Sequence, residues 1–144
     1  MAIKVDTLVD TGPLIALLSR SDSYHIECSR LFRELNCPFY TTLPVITEAM
    51  YFLQKLGGGV GQNGLWKLLN RGDLLLIHPE PKDLLRMEAL MNKYDDRQMD
   101  FADASIVSIA ERMSLHKVFT TDIADFNVYR LKDRKPFTII GPST

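Results

Sequence analysis

Two cysteines, three histidines and one tryptophan in 144 residues leave several chemistries without material. Cys28 and Cys37 form neither a CxxC pair nor a zinc-ligand spacing, so the pattern points to reduced thiols in a cytoplasmic protein. His25, His78 and His116 carry no HExxH or related metal spacing. There is no GxSxG elbow for an acyl-transfer serine and no GK[ST] for a P-loop. No apolar run approaches the ~20 residues of a membrane span, and the opening "MAIKVDTLVD" enters a strand-like run without a signal-peptide core. Repeats, low-complexity tracts and Ser/Pro-rich linkers are absent too, which makes residues 1–144 one expected domain. The formal net charge is −1, a whole-chain figure that offers nothing to a polyanion.

What is present reads as a globular α/β chain. Hydrophobic residues make up 46% and charged residues 24%, enough for one real core. Short apolar runs at residues 4–9, "PFYTT", "DLLLIHP", "KVFTT" and "PFTII" read as five strands. Between them, "GPLIALLSR", "SDSYHIECSRLFREL", "LPVITEAMYFLQKLGG", "GLWKLLNRG" and "PKDLLRMEALMNKYDD" read as helices, and "DIADFNVYR" as a turn or short helix. "GVGQNG", residues 59–64, formally matches GxGxxG but follows a helix instead of a strand, so it reads as a helix stop and flexible loop. Strands alternating with helices predict a mainly parallel central sheet of about five strands flanked by helices.

Parallel sheets place ligands outside the carboxyl ends of their strands. Asp10 directly follows the first strand, and Asp122 directly follows "VFTT". Glu48 lies in the first turns of the helix after "FYTT", which must start at the same edge. Asp103 belongs to "MDFADASIVSIAER", whose apolar face recurs at Ala102, Ile106, Ile109, Ala110 and Met113. Asp100 fits an N-cap with Asp103 at N3, which alone would account for both aspartates. Connectivity leaves open which end of the sheet Asp103 faces, because two consecutive helices precede its strand.

Four acids at one edge repel unless they are protonated or share a cation: two like charges ~4 Å apart cost about 4 kcal/mol at an effective dielectric near 20. No matching set of buried Lys or Arg is visible. Hard oxygen donors without a His or Cys set select Mg²⁺ or Mn²⁺, and such ions activate water and neutralise charge in phosphodiester displacement. The acids thus point to a metal-dependent nuclease or phosphohydrolase. Taken singly, Asp10 could merely end a strand, Asp122 cap a helix and Glu48 sit solvated at a helix margin.

"VDTGPLIALL", "TEAMYFL", "MDFADASIVSIAER" and "VFTTDIADF" occur in the order and spacing of PIN-domain proteins. The chain most resembles the short bacterial VapC-type toxins, endoribonucleases of toxin–antitoxin pairs. The resemblance implies that Asp10, Glu48, Asp103 and Asp122 are catalytic metal-site acids holding Mg²⁺ or Mn²⁺. It makes Thr11 and Thr120 supporting hydroxyls and Asp100 and Asp125 supporting acids, with Phe126 in a packing role. It further implies an RNA substrate, a small antitoxin partner and a homodimer. Two other readings stay open: a non-catalytic PIN-like module that binds RNA or protein, and a small-molecule phosphohydrolase. The latter is disfavoured because "VDTGPL" lacks the second aspartate of a DxD nucleophile motif.

With the six named acids set aside, 12 of 18 acids remain against 17 Lys and Arg, a net basic remainder. "YRLKDRK" places Arg130, Lys132, Arg134 and Lys135 beyond Asp122, where they are candidates for an RNA backbone. A solvated loop of alternating charge would look the same.

Overall fold

The computed structural model describes residues 4–36 and 38–143. The reading of Cys37 as a thiol falls outside them; Cys28 is buried and free. Five strands, β1 (Thr7–Val9), β2 (Phe39–Thr42), β3 (Leu74–Ile77), β4 (Lys117–Phe119) and β5 (Thr138–Ile140), form one sheet in the order β3-β2-β1-β4-β5. Every pairing is parallel, with Leu8 opposite both Tyr40 and Val118. The expected α/β architecture with a parallel sheet is what forms.

Seven helices connect and cover the strands: α1 (Thr11–Leu18), α2 (His25–Leu35), α3 (Leu43–Gly57), α4 (Gly59–Arg71), α5 (Pro81–Lys93), α6 (Phe101–Met113) and α7 (Ile123–Val128). Because helices screen both faces of a parallel sheet, its strands are apolar without alternation. Val9, Leu8, Val118 and Phe119 are fully buried, and Phe32, Phe39 and Phe119 meet with ring centroids 4.9–6.4 Å apart. Among the described residues no helix is long and apolar enough to cross a membrane.

Helix α6 is the most enclosed of the helices, buried at every residue from Ala102 to Ala110. Its polar side chains are satisfied internally: Ser105 Oγ donates to Ala102 O (2.7 Å) and lies 2.7 Å from Thr42 Oγ1. α5 runs antiparallel beside it, joined by a bidentate Arg86–Glu111 pair (2.8 and 3.0 Å) and by Arg112 on the buried Asp83 (3.0 Å). Both pairs are part-buried, with the carboxylates enclosed and the arginines partly open, and together they fix the register of the hairpin.

Two local expectations change. "GVGQNG" is the first half of α4 and not a loop. Gly58, at φ 68°, makes the break between α3 and α4 that the glycine run suggested, while Gly61 and Gly64 sit against Leu53 and Leu18 where a Cβ would come within 2.8 and 2.7 Å of them. The glycines thus serve close helix packing. The second helix starts at His25 instead of Ser21, because Asp22 Oδ1 accepts from Tyr24 N (2.8 Å) and closes a turn first.

Candidate metal centre

Strand order reverses at β1: β2 and β3 extend to one side, β4 and β5 to the other. Ligands of open parallel sheets collect at such a switch point. Both flanking strands end there in a polar side chain. Asp10 N donates to Phe119 O (2.8 Å), carrying the β1–β4 ladder one residue beyond β1, and Thr120 N donates to Ile140 O (3.0 Å). Thr120 Oγ1 then donates to Asp10 Oδ2 (2.8 Å) and accepts from Asp122 N (2.9 Å). One hydroxyl therefore fixes two of the expected acids relative to each other.

The open question about Asp103 is resolved by the hairpin. α5 and α6 are antiparallel, and α6 begins at the carboxyl edge of the sheet beside Asp10. Asp100 Oδ1 accepts from Asp103 N (2.8 Å), an N-cap that leaves the Asp103 side chain free to face the edge. Tyr129, buried completely, donates its phenol to Asp103 Oδ2 at 3.0 Å. Asp103, Asp122 and Asp125 each place a carboxylate oxygen within 4.8 Å of the other two. Asp122 Oδ1 also accepts from Asp125 N (3.4 Å), capping α7.

The acids feel one another. Burial, reinforced by the charges of Asp10 and Asp100, pushes the Asp103 carboxyl up to about 8. Burial raises Asp10 to about 6, against hydrogen bonds from Thr11 N and Thr120, with Glu48 and Asp100 pushing the same way as burial. Glu48 is raised chiefly by burial and then by Asp100; Asp122 is raised by burial and then by Asp125. Tyr129 is raised by burial and by the charge of Asp103, so it stays a neutral donor.

The structure thus brings Asp10, Glu48, Asp100, Asp103, Asp122 and Asp125 into one charge neighbourhood. Thr11 belongs to it as well: its buried Oγ1 lies toward the Glu48 carboxylate and favours its charged form against burial, without closing a hydrogen bond of good geometry. The donors are all hard oxygens, and the two most enclosed carboxylates are raised, to about 6 and about 8, for want of a counter-charge. This set fits a divalent cation. Glu48 and Asp100 also border a groove of about 720 Å³ walled by Leu43, Tyr51, Phe52 and Phe101.

The basic segment lies elsewhere. Lys132 and Lys135 line a cavity with Ala110, Glu111 and His116 at the far end of α6, at least ~10 Å along the helix from Asp103. Arg130 turns its Nη1 back onto the carbonyls of Asn127 (2.6 Å) and Tyr129 (3.0 Å). Arg134 is exposed, at φ 67° in a turn. Two residues the sequence did not single out stand at the centre instead. Tyr129 carries no signal, since its partner Asp103 is 26 positions away. Arg97 lies in a 3-10 turn, Asp95–Arg97, and places Nε 3.5 Å from Asp125 Oδ1.

The PIN-domain family model matches residues 7–130. No curated relative matches the sequence. Among solved structures, the chain is similar to VapC20 of Mycobacterium tuberculosis, a toxin that cleaves the sarcin–ricin loop. The TM-score is 0.74 at 17% identity, over 83% of this chain and 93% of that one. A chain of a toxin–antitoxin complex from Klebsiella pneumoniae is 22% identical with a TM-score of 0.64, over 85% of this chain and 91% of that one. A chain of Rickettsia felis VapBC2, bound to a DNA fragment from its promoter, is 18% identical with a TM-score of 0.63. That match covers 95% of this chain and 98% of that one. At these identities the likeness is one of fold.

Proposed function

The chain belongs to the PIN-domain family, and from this premise we propose that it is an Mg²⁺- or Mn²⁺-dependent endoribonuclease, the toxin of a toxin–antitoxin pair. The observation that carries the proposal is the carboxylate cluster at the switch point, whose buried members Asp10 and Asp103 are raised to about 6 and about 8. Structural neutrality would have been met more cheaply by amides or apolar side chains. Retaining several acids in contact makes sense where a cation is to be bound.

Asp10, Glu48, Asp103 and Asp122 are the ligand set, with Asp100 and Asp125 beside them. A divalent cation there supplies Lewis-acid polarisation of a phosphodiester and a more acidic water. The chain's own contribution is to hold the set rigid. Thr120 clamps Asp10 and the backbone of Asp122, Tyr129 fixes the rotamer of Asp103, and Asp100 pins the first turn of α6. With its carboxyl raised to about 8, Asp103 would have to release a proton to ligate a cation at neutral pH, so higher pH would favour binding.

The similar structures that are toxin–antitoxin complexes support a small antitoxin as partner. The family reading adds a homodimer and a cytoplasmic setting. Cleavage of defined RNAs, transfer RNA included, with Mg²⁺ or Mn²⁺ tests the activity. Discrete cuts lost both in EDTA and in Asp103→Asn are expected. Cuts that survive Asp103→Asn would overturn the site assignment, and RNA binding without any cutting would favour a non-catalytic PIN-like module.

A further inference from the structure

A centre built from acids must still admit a polyanion, and a bound cation neutralises only part of six carboxylates. Among the described residues, Arg97 is the one cation in an ion pair with an acid of this group, its Nε 3.5 Å from Asp125 Oδ1. Asp125 in turn lies within 4.8 Å of Asp103 and Asp122, oxygen to oxygen, so Arg97 stands one carboxylate away from the ligand set.

The guanidinium is only partly used. Its Nε is buried and makes no hydrogen bond, Nη2 donates to Ala124 O at 3.3 Å, and no acceptor among the described residues meets Nη1. About a third of the side chain is open, 36%. The pair is half-buried and its buried Nε makes no hydrogen bond, so the contact with Asp125 leaves most of the guanidinium's donors unspent. A planar fork with free donors is the group that suits a phosphate.

The mount is stiff. Arg97 N donates to Tyr94 O (3.0 Å), and Gln98, at φ 55°, turns the chain at once towards the Asp100 cap. Tyr94 packs on Tyr129 with centroids 5.0 Å apart, and its phenol accepts from Arg130 N (3.0 Å). The turn bearing Arg97 is thus fastened to the same tyrosine that orients Asp103. Other cations suggested by the sequence lie farther off or are turned onto carbonyls, as Lys132, Lys135 and Arg130 are.

We propose that Arg97 is the phosphate-binding group of this centre, aimed at the RNA backbone by Asp125. The proposal rests on the nuclease reading for its substrate. Asp125 is then a positioning residue that acts through Arg97.

The test compares the full chain with Arg97→Ala, Arg97→Lys, Asp125→Asn and the Arg97→Ala/Asp125→Asn pair. Cleavage of a defined RNA is followed with Mn²⁺, RNA binding with Ca²⁺ across a salt series, and Mn²⁺ binding by calorimetry. Arg97→Ala is expected to raise KM tenfold or more with a smaller change in kcat, and Arg97→Lys to recover part of it. Its plot of log affinity against log salt should flatten by about 0.7, one phosphate contact on a single strand. Mn²⁺ affinity should not weaken, and the double variant should be little worse than either single one, as coupled residues behave.

Loss of Mn²⁺ affinity with an unchanged salt slope would make Arg97 a support of the carboxylates and overturn the proposal. So would unchanged KM and slope in Arg97→Ala beside a wild-type chain that cuts, with the nuclease reading left standing. A wild-type chain that binds RNA without cutting, with the slope still reduced in Arg97→Ala, would sink the nuclease reading and keep the phosphate contact. RNA neither bound nor cut would overturn both.

Discussion

The Tyr129 phenol and the Asp103 carboxylate, 26 positions apart in sequence, are joined by a buried 3.0 Å hydrogen bond. Tyr129→Phe keeps the ring contacts with Phe126 and Tyr94 and removes only this donor. A lost buried hydrogen bond costs about 1 kcal/mol, and a carboxylate free to rotate loses its aim. We expect a urea midpoint lowered to match, and kcat down about tenfold with KM little changed, since misplacement taxes the reacting geometry. A variant with wild-type kcat would show that Asp103 needs no orienting partner.

The metal-free protein should be more stable in mild acid than in mild alkali. Asp10 and Asp103 are raised to about 6 and about 8, above the ordinary value near 4. Between about pH 4 and pH 8 the folded chain therefore binds more protons than the unfolded one, and stability falls as pH rises. In EDTA, Tm at pH 5.5 should exceed Tm at pH 8, and Mn²⁺ should recover most of the loss at pH 8. A Tm that climbs steadily with pH in EDTA would contradict the geometry of the buried acids.

Asp103→Asn separates stability from activity. The amide nearly keeps the shape and removes a buried charge that Asp10 and Asp100 oppose. In EDTA at pH 8 the variant should be more stable than wild type by about 1 kcal/mol or more, while RNA cleavage drops at least a hundredfold. Its Tm should also depend less on pH, which assigns the slope to this residue. Equal Tm values in EDTA at pH 8 would count against stored repulsion.

Gly12 allows α1 to approach the loop after β4. A Cβ there would run into the Thr121 side chain, meeting its Oγ1 first, two residues from Asp10 on one side and next to Asp122 on the other. Gly12→Ala should destabilise by about 1–3 kcal/mol, the usual cost of overpacking, and lower activity by spreading the two acids. Adding Thr121→Ala should restore part of both, as read by urea unfolding and cleavage rate. No rescue at all would place the strain elsewhere.

The sheet, and the gathering of three of the four candidate acids at one of its edges, are legible because each acid follows a strand, or opens the helix after one, and parallel pairing aligns those ends. Asp103 was recognisable by motif but not by connectivity; its place depends on α5 and α6 forming an antiparallel hairpin. That hairpin is held by Arg86–Glu111 and Arg112–Asp83, pairs 25 and 29 positions apart with no periodic signature. "GVGQNG" misled because glycine marks loops on average, whereas here two glycines admit Leu18 and Leu53 to the helix face. Among basic residues, Lys132 and Lys135 line a cavity beside Ala110 and Glu111 of α6, while Arg97 reaches Asp125 from a turn that follows a helix end in the sequence.

The order reversal at β1 also carries a consequence for how the protein is born. Asp10 and Asp122 are 112 positions apart and meet only across the β1–β4 pair. At ribosomal rates of about 5–20 residues per second, the first acid waits roughly 6–20 seconds for the last. Throughout that interval no nascent fragment holds the full carboxylate set, because β4 has not yet joined the sheet. On the nuclease reading, this topology withholds the full carboxylate set from the growing polypeptide until β4 has been made, so a neutralising partner has nothing to neutralise before that point.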